Sequence, residues 1–231
     1  MKTIGLIGGI TWLSSQEYYR IINETMNERL GRLHSAKIIL FSVDFEEIVQ
    51  KEKQGKRQQI AELLIDAAKK IEKAGADFLV VCANTAHKFT EEISKAITIP
   101  LLHIADVTAE KVKQKNLRKV GFVGTKYTME KEFYIRRLIQ KHRLELILPT
   151  EEERQIIDDV IYKELAIGEK KESSKEKYKE IIHRLIEKGA EGIILGCTEI
   201  PLLLEQKDVK VPIFDTTMIH AQSAVDLALK E

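Results

Sequence analysis

Two short segments hold side chains able to move a proton and bind an anion: Gly196-Cys197-Thr198-Glu199 and Cys82-Ala83-Asn84-Thr85. Each follows a run of strand-like residues and precedes a helix-like one. In open parallel sheets ligands collect at such strand ends, where helix N-termini aim unpaired N–H groups. Asn84, Thr85, Thr198 and Glu199 therefore offer polar partners beside two positive helix ends, enough to hold a carboxylate. Cys197 has the placement of an acid–base thiol, because a helix end lowers a thiol pKa and a polar turn keeps it accessible. Gly196 is expected to clear space beside it, and Pro201 falls in the first helical turn, where its missing donor costs little.

The two segments are counterparts in a faint internal repeat. Thr3-Ile4-Gly5-Leu6-Ile7-Gly8 matches Lys119-Val120-Gly121-Phe122-Val123-Gly124, and residues 75–81 match 189–195. Thr98-Ile99-Pro100-Leu101 and Lys210-Val211-Pro212-Ile213 follow in the same order. Gly75 pairs with Gly189, an offset of 114 that sets Ala83 opposite Cys197 and Cys82 opposite Gly196. Side chains alternate along a strand, so Cys82 and Ala83 point to opposite faces and Cys82 is expected in the core. A one-residue bulge is what would turn it inward.

The elements that must position these residues read as an α/β alternation. Strands are predicted at 3–8, 37–43, 77–83, 99–103, 119–123, 144–148, 191–196 and 211–214, mostly apolar on both faces as parallel strands under helices are. Helices are predicted at 15–31, 55–74, 88–96, 106–115, 129–142, 151–166, 172–188 and 217–229, the first with capping-box spacing in Ser14-Ser15-Gln16-Glu17. The repeat divides the chain into two similar lobes, each a parallel sheet flanked by helices: residues 1–98 with 208–231, and residues 99–207. The final helix is expected to return to the first lobe, and the charged run at 169–179 is a solvated surface.

Composition narrows the function. The 231 residues carry Lys+Arg 37 against Asp+Glu 36, a formal charge of +1, so no global field favours nucleic acid or an acidic membrane. No long apolar span is present, and the N-terminus opens on a strand rather than an export signal, which makes a cytoplasmic location the expectation. Two cysteines do not make a disulfide framework. Six histidines lack metal-ligand spacing, so no metal is expected. His87 belongs to the first motif, and His103 and His220 follow the Pro100 and Pro212 strands, in reach of supporting the site from behind. The Gly5-to-Gly9 turn lacks the spacing and acidic partner of a dinucleotide loop.

Gly5-Leu6-Ile7-Gly8-Gly9, Asn84-Thr85-Ala86-His87 and Gly196-Cys197-Thr198-Glu199 together resemble the cofactor-independent aspartate/glutamate racemase family over essentially the whole chain. The resemblance implies two α/β lobes related by a pseudo-twofold axis with the active site in the cleft between them, a homodimer, an amino-acid substrate and no pyridoxal cofactor. It further implies that one thiolate removes the α-proton while a thiol on the opposite face returns one. Asn84, Thr85 and Thr198 would then stabilise the carboxylate, Glu199 would meet the ammonium, and Gly9, Ile10 and Thr125 would border the site. Family members carry Cys-Asn-Thr where this chain has Ala83-Asn84-Thr85, and a methyl group moves no proton. Cys82 turned inward, water or Thr85 acting weakly, an inactivating change, or one-cysteine chemistry such as a decarboxylase or one-sided isomerase all remain open, as does a non-catalytic small-acid binder. Aspartate or glutamate is the favoured substrate class. Asp44-Phe45-Glu46-Glu47-Ile48 lacks the arginine that clamps a distal carboxylate in some relatives; Lys51, Lys53 and Lys56 lie near in sequence, and Lys163 is the candidate cation in the second lobe.

Overall fold

The computed structural model of the chain describes residues 1–230. Eight strands form among them: β1 (Ile4–Gly8), β2 (Ile38–Ser42), β3 (Phe78–Val81), β4 (Leu101–Leu102), β5 (Lys119–Gly124), β6 (Glu145–Ile147), β7 (Ile193–Gly196) and β8 (Ile213–Asp215). They make two four-stranded sheets of the same order, β2-β1-β3-β4 and β6-β5-β7-β8, and every pairing is parallel. Parallel neighbours need crossovers, which the helices supply. These are α1 (Trp12–Leu30), α2 (Phe45–Lys53), α3 (Arg57–Lys73), α4 (Thr90–Ala96), α5 (Ile104–Gln114), α6 (Lys126–Glu130), α7 (Glu132–Arg136), α8 (Glu151–Lys163), α9 (Glu172–Glu187) and α10 (Thr216–Leu229).

Both sheets are built from the apolar runs expected to form them. β1 and β3 are buried along their whole length, as is β5 after its first residue. α3 lays Ile60, Ala61, Leu64, Ala67, Ala68 and Ile71 against Ile7, Leu79 and Val81 of the first sheet. Full burial of a side chain such as Leu64 or Ile71 is worth about 1.5–3 kcal/mol. The edge strand β2 is different, with Leu40 and Ser42 exposed.

The chain divides into two compact units: residues 1–104 with the chain from His220 onward, and Ala105–Ile219. Strand pairing explains why these limits differ from the expected 98 and 208. β4 pairs with β3, which keeps residues 99–104 in the first unit, and β8 pairs with β7, which keeps 208–219 in the second. α10 begins in the second unit and ends in the first.

Local chemistry moves several other boundaries. α1 starts at Trp12 because the Thr11 side chain accepts the Ser14 N–H. The predicted capping box at Ser14 does not form, since both serines are buried and committed elsewhere. Ser15 Oγ accepts the Gly9 N–H at 2.7 Å, and the Ser14 hydroxyl donates to the Cys82 carbonyl. α2, which the expected helices omit, is nine residues long with a short apolar stripe, Phe45, Ile48 and Val49, none of it fully buried; Asp44 caps it. The helix expected over 129–142 is broken into α6, α7 and a π-helical turn, Arg137–Lys141.

Asp106 on α5 ties that turn down. It accepts from Arg137 at two 2.7 Å contacts and from Lys141 and His142 at 2.7 Å each. Burial alone would raise this carboxyl, but the hydrogen bonds from Arg137, Lys141 and His142 outweigh it and hold the group well below the usual aspartate value. A carboxyl held low contributes stability above its unfolded pKa and loses it as pH falls through the folded one. Asp106→Ala should therefore cost about 2 kcal/mol in urea unfolding at pH 7, with the gap to wild type narrowing as pH drops below the ordinary aspartate range.

Candidate active site

In the first unit the turn after β3 is set by its ladder. The Cys82 N–H donates to the Ile7 carbonyl at 2.9 Å, extending the β1–β3 pattern past Val81, so no bulge reverses the faces. Cys82 is 1% exposed and burial pushes its thiol far up. Ala83, also buried, joins the apolar cluster that contains Val43, Val81 and Phe89. The backbone then turns helical at Asn84 (φ −59°, ψ −46°) and continues as a 3₁₀ segment, Thr85–Phe89. Asn84 is buried and Thr85 half-buried. Gly9 holds φ +91°, and a Cβ there would lie 2.1 Å from the Val43 carbonyl oxygen, so only glycine fits. Ile10 beside it is buried.

The second unit repeats this plan with a thiol. Once Gly5 is set on Gly121 by the repeat of residues 3–8 in 119–124, strand register sets its partner Leu79 in the first sheet on Ile193, the partner of Gly121 in the second. Ala83 and Cys197 each lie four residues beyond Leu79 and Ile193, so sheet geometry reproduces the correspondence drawn from the repeat. The Cys197 Sγ donates to Glu199 Oε2 at 2.8 Å, and Thr198 Oγ1 donates to the same oxygen at 2.6 Å. Cys197 is 9% exposed.

Two expectations about this thiol are corrected. The anticipated helix end is only a three-residue 3₁₀ turn, Ile200–Leu202, too short to gather a strong dipole. Burial first, and then the charge and hydrogen bond of Glu199, raise the Cys197 pKa well above the usual thiol value, against the weaker pull of the Glu199 and Thr198 N–H groups. Cys197 therefore rests protonated. Gly196 does not make room for the thiol either: its missing Cβ would stand 2.5 Å from the Phe122 ring, so it makes room for Phe122.

The remaining expected residues are placed as follows. Thr125 is buried and caps α6, its hydroxyl accepting the Thr128 N–H at 3.2 Å. Lys163 is on α8 with its side chain 72% exposed and its Nζ 2.9 Å from Asp159. Lys51 pairs with Glu47 at 2.7 Å. It lines a first-unit groove of about 610 Å³ whose other charged residues are Asp44, Glu47, Glu62 and Asp66, a lining that disfavours a carboxylate. Tyr162 was not singled out from the sequence. Although the residue is 57% exposed overall, its phenol is pushed up to about 12, mainly by burial of its hydroxyl end and then by acidic neighbours, Asp158 and Glu199 among them, which places it near the Glu199 carboxylate. Its one sequence signal is an aromatic residue among charged neighbours next to Lys163. Among the described residues no group of three or more His, Cys, Asp or Glu is arranged to hold a metal ion, and no helix is long and apolar enough to cross a membrane.

Removing the charge of Glu199 should release the thiol. Glu199→Gln is expected to move the pH midpoint of Cys197 alkylation downward by about one unit or more, the scale set by a nearby like charge, while Cys82 reacts only on unfolding. An unchanged midpoint would mean that Glu199 does not control the thiol.

Comparison with known proteins converges on one group. A family profile described as Asp/Glu/Hydantoin racemase matches residues 7–224. The broad specificity amino-acid racemase RacX of Bacillus subtilis is 27% identical over 172 residues, which is 74% of this chain and 73% of RacX. A crystal structure of a candidate Asp/Glu racemase from Yersinia pestis is 50% identical with a TM-score of 0.96, covering 100% of both chains. An aspartate racemase homologue from Pyrococcus horikoshii OT3 is 36% identical with a TM-score of 0.89, again over 100% of both.

Proposed function

The chain belongs to the Asp/Glu/Hydantoin racemase family, a family of isomerases, and from that premise we propose that it is an amino-acid racemase in which Cys197 is the only thiol that exchanges the α-proton. The observation that carries this is the Cys197–Glu199 hydrogen bond at 2.8 Å, in the register position whose counterpart is Ala83. We take aspartate and glutamate as the substrates, in line with the names of the relatives, and a cytoplasmic homodimer as the working form.

Substrate binding supplies the charge that the resting thiol lacks. Burial is the larger cause of the raised Cys197 pKa and the Glu199 charge the next; an α-ammonium group beside Glu199 offsets the second, so the thiol becomes more acidic once substrate is bound. Cys197 first releases its own proton to water; the thiolate then takes the α-proton, forming an S–H bond as the C–H bond breaks and leaving the electron pair delocalised into the substrate carboxylate. Asn84 and Thr85 donate hydrogen bonds to that carboxylate, where the charge develops, while Thr198 borders the substrate with its hydroxyl proton kept on Glu199. Lys163, whose exposed pair with Asp159 is worth little, is the cation proposed for a distal carboxylate. Gly9, Ile10 and Thr125 shape the backbone around these donors.

Ala83 makes the two faces unequal. Proton return by Cys197 regenerates the original enantiomer, and inversion requires a proton from water on the other face, so inversion is slower than exchange. Cys82 takes no part. A protonated resting thiol also suits a single-cysteine decarboxylase, which protonates a carbanion after carbon dioxide leaves; carbon dioxide release from a malonate-type acid would identify that chemistry.

Chiral chromatography of aspartate and glutamate incubations tests the assignment. Cys197→Ser should lower inversion by about a hundredfold or more, Cys82→Ala should leave it unchanged, and Ala83→Cys should raise it. Activity that survives Cys197→Ser, or that disappears with Cys82→Ala in a folded protein, would overturn the assignment.

A further inference from the structure

Behind the Ala83 turn of the first unit stand three buried histidines, His87, His103 and His220. His87 Nδ1 lies 2.8 Å from the Ala83 carbonyl oxygen, and its Nε2 lies 3.2 Å from the Ile104 backbone N–H. A carbonyl only accepts and an N–H only donates, so the two bonds together require a neutral ring with its proton on Nδ1. The His103 ring packs against it at 4.7 Å between centroids and the His220 ring at 5.6 Å. His220 is held in its own right, 2.8 Å from the Tyr18 hydroxyl and 2.9 Å from the Leu102 carbonyl. That requires a proton on its Nε2. The His87 ring is thus gripped at both nitrogens and packed against two neighbouring rings.

The atom that His87 holds matters more than the packing around it. A peptide unit is planar, so fixing the direction of the Ala83 carbonyl also fixes the Asn84 N–H, which points the opposite way from the same plane. Ser14 does the corresponding work one residue earlier by donating to the Cys82 carbonyl. Two successive peptide planes at the end of β3 are therefore set by side chains, where the sheet ladder no longer sets them. Small errors in such placement are costly, since a displacement of about 1 Å can slow a reaction on the order of a hundredfold.

We infer that His87 is a positioning residue that, through its Nδ1–H bond to the Ala83 carbonyl, aims the Asn84 N–H at the substrate carboxylate, with Ile104 holding the ring in place. This rests on the proposed role of the Asn84 segment as a carboxylate donor. His87 touches no reacting atom and acts only through the peptide plane. Loss of the Ala83 bond consequently weakens stabilisation of the developing carbanion, which lowers kcat more than it raises KM.

Two substitutions separate the two bonds. The side-chain amide of His87→Asn occupies the place of Nδ1 and keeps the donation to Ala83. His87→Gln reaches the place of Nε2, where its oxygen accepts from Ile104, and gives up Ala83. Racemisation kinetics should show His87→Asn within about threefold of wild type in kcat and His87→Gln about tenfold or more lower, with KM moved less than threefold. Thermal unfolding of both variants controls for stability. In ¹⁵N spectra the wild-type His87 should be protonated at Nδ1, and the Asn84 amide resonance should move in His87→Gln and stay near its wild-type position in His87→Asn. Losses in kcat that follow the melting temperature in both variants, a proton on Nε2, or an Asn84 amide indifferent to His87→Gln would each overturn the inference. An inactive wild type with the expected tautomer and Asn84 response would fault the proposed function and leave the His87 geometry standing.

Discussion

The Cys82 N–H to Ile7 carbonyl bond, 2.9 Å long, carries the parallel ladder past the last residue of β3 and decides which face each following side chain meets. With the ladder unbroken, Cys82 stays on its buried face and Ala83 takes the position that corresponds to Cys197. A bulge of one residue here would exchange the two and produce a different chemistry. The same parallel register recurs in β5 and β7, which brings Cys197 to the equivalent strand end. Everything proposed about unequal faces follows from this one backbone constraint and from alanine at position 83.

Electrostatics then set the state of the single thiol. A cysteine beside a carboxylate in a buried place is a poor thiolate, and Cys197 is both buried and bonded to Glu199. This arrangement has a use in the proposed chemistry. A thiol that ionises only when a cation neutralises its neighbour is unreactive in the empty enzyme and becomes a base as the substrate ammonium arrives. Thr198 shares the same carboxylate oxygen, so Glu199 is held facing the thiol rather than free to turn away.

How much was legible in the sequence follows from what each feature depends on. All eight strands were readable because short apolar runs between helix-like stretches stand out, continuous where β1, β3, β5 and β7 are covered on both faces and shorter or mixed at β2 and β6. The pairing of Ala83 with Cys197 is drawn from the repeat, whose glycines Gly75 and Gly189 stand 114 residues apart. α2 was not readable, since its apolar stripe, Phe45, Ile48 and Val49, is confined to its first half and only Ile48 of the three packs, partly buried, against the first-unit core. Nor were the roles of Ser14 and Gly196, which depend on partners 68 residues away and on the Phe122 ring respectively. The thiol pKa runs opposite to expectation because a sequence shows neither the burial of Cys197 nor that Glu199, two residues on, turns back to accept from it. Tyr162 was overlooked for the same reason, its nearness to Glu199 being spatial.

The central claim is that a single thiol, Cys197, handles the α-proton from one side. Its most direct measurement is deuterium wash-in at the α-carbon in deuterium oxide, followed by NMR separately for the L and D forms of aspartate and glutamate. One enantiomer is expected to exchange well ahead of its inversion, with the other exchanging slowly. Equal exchange of both enantiomers at the rate of inversion would contradict the claim and point to a second base on the Ala83 face.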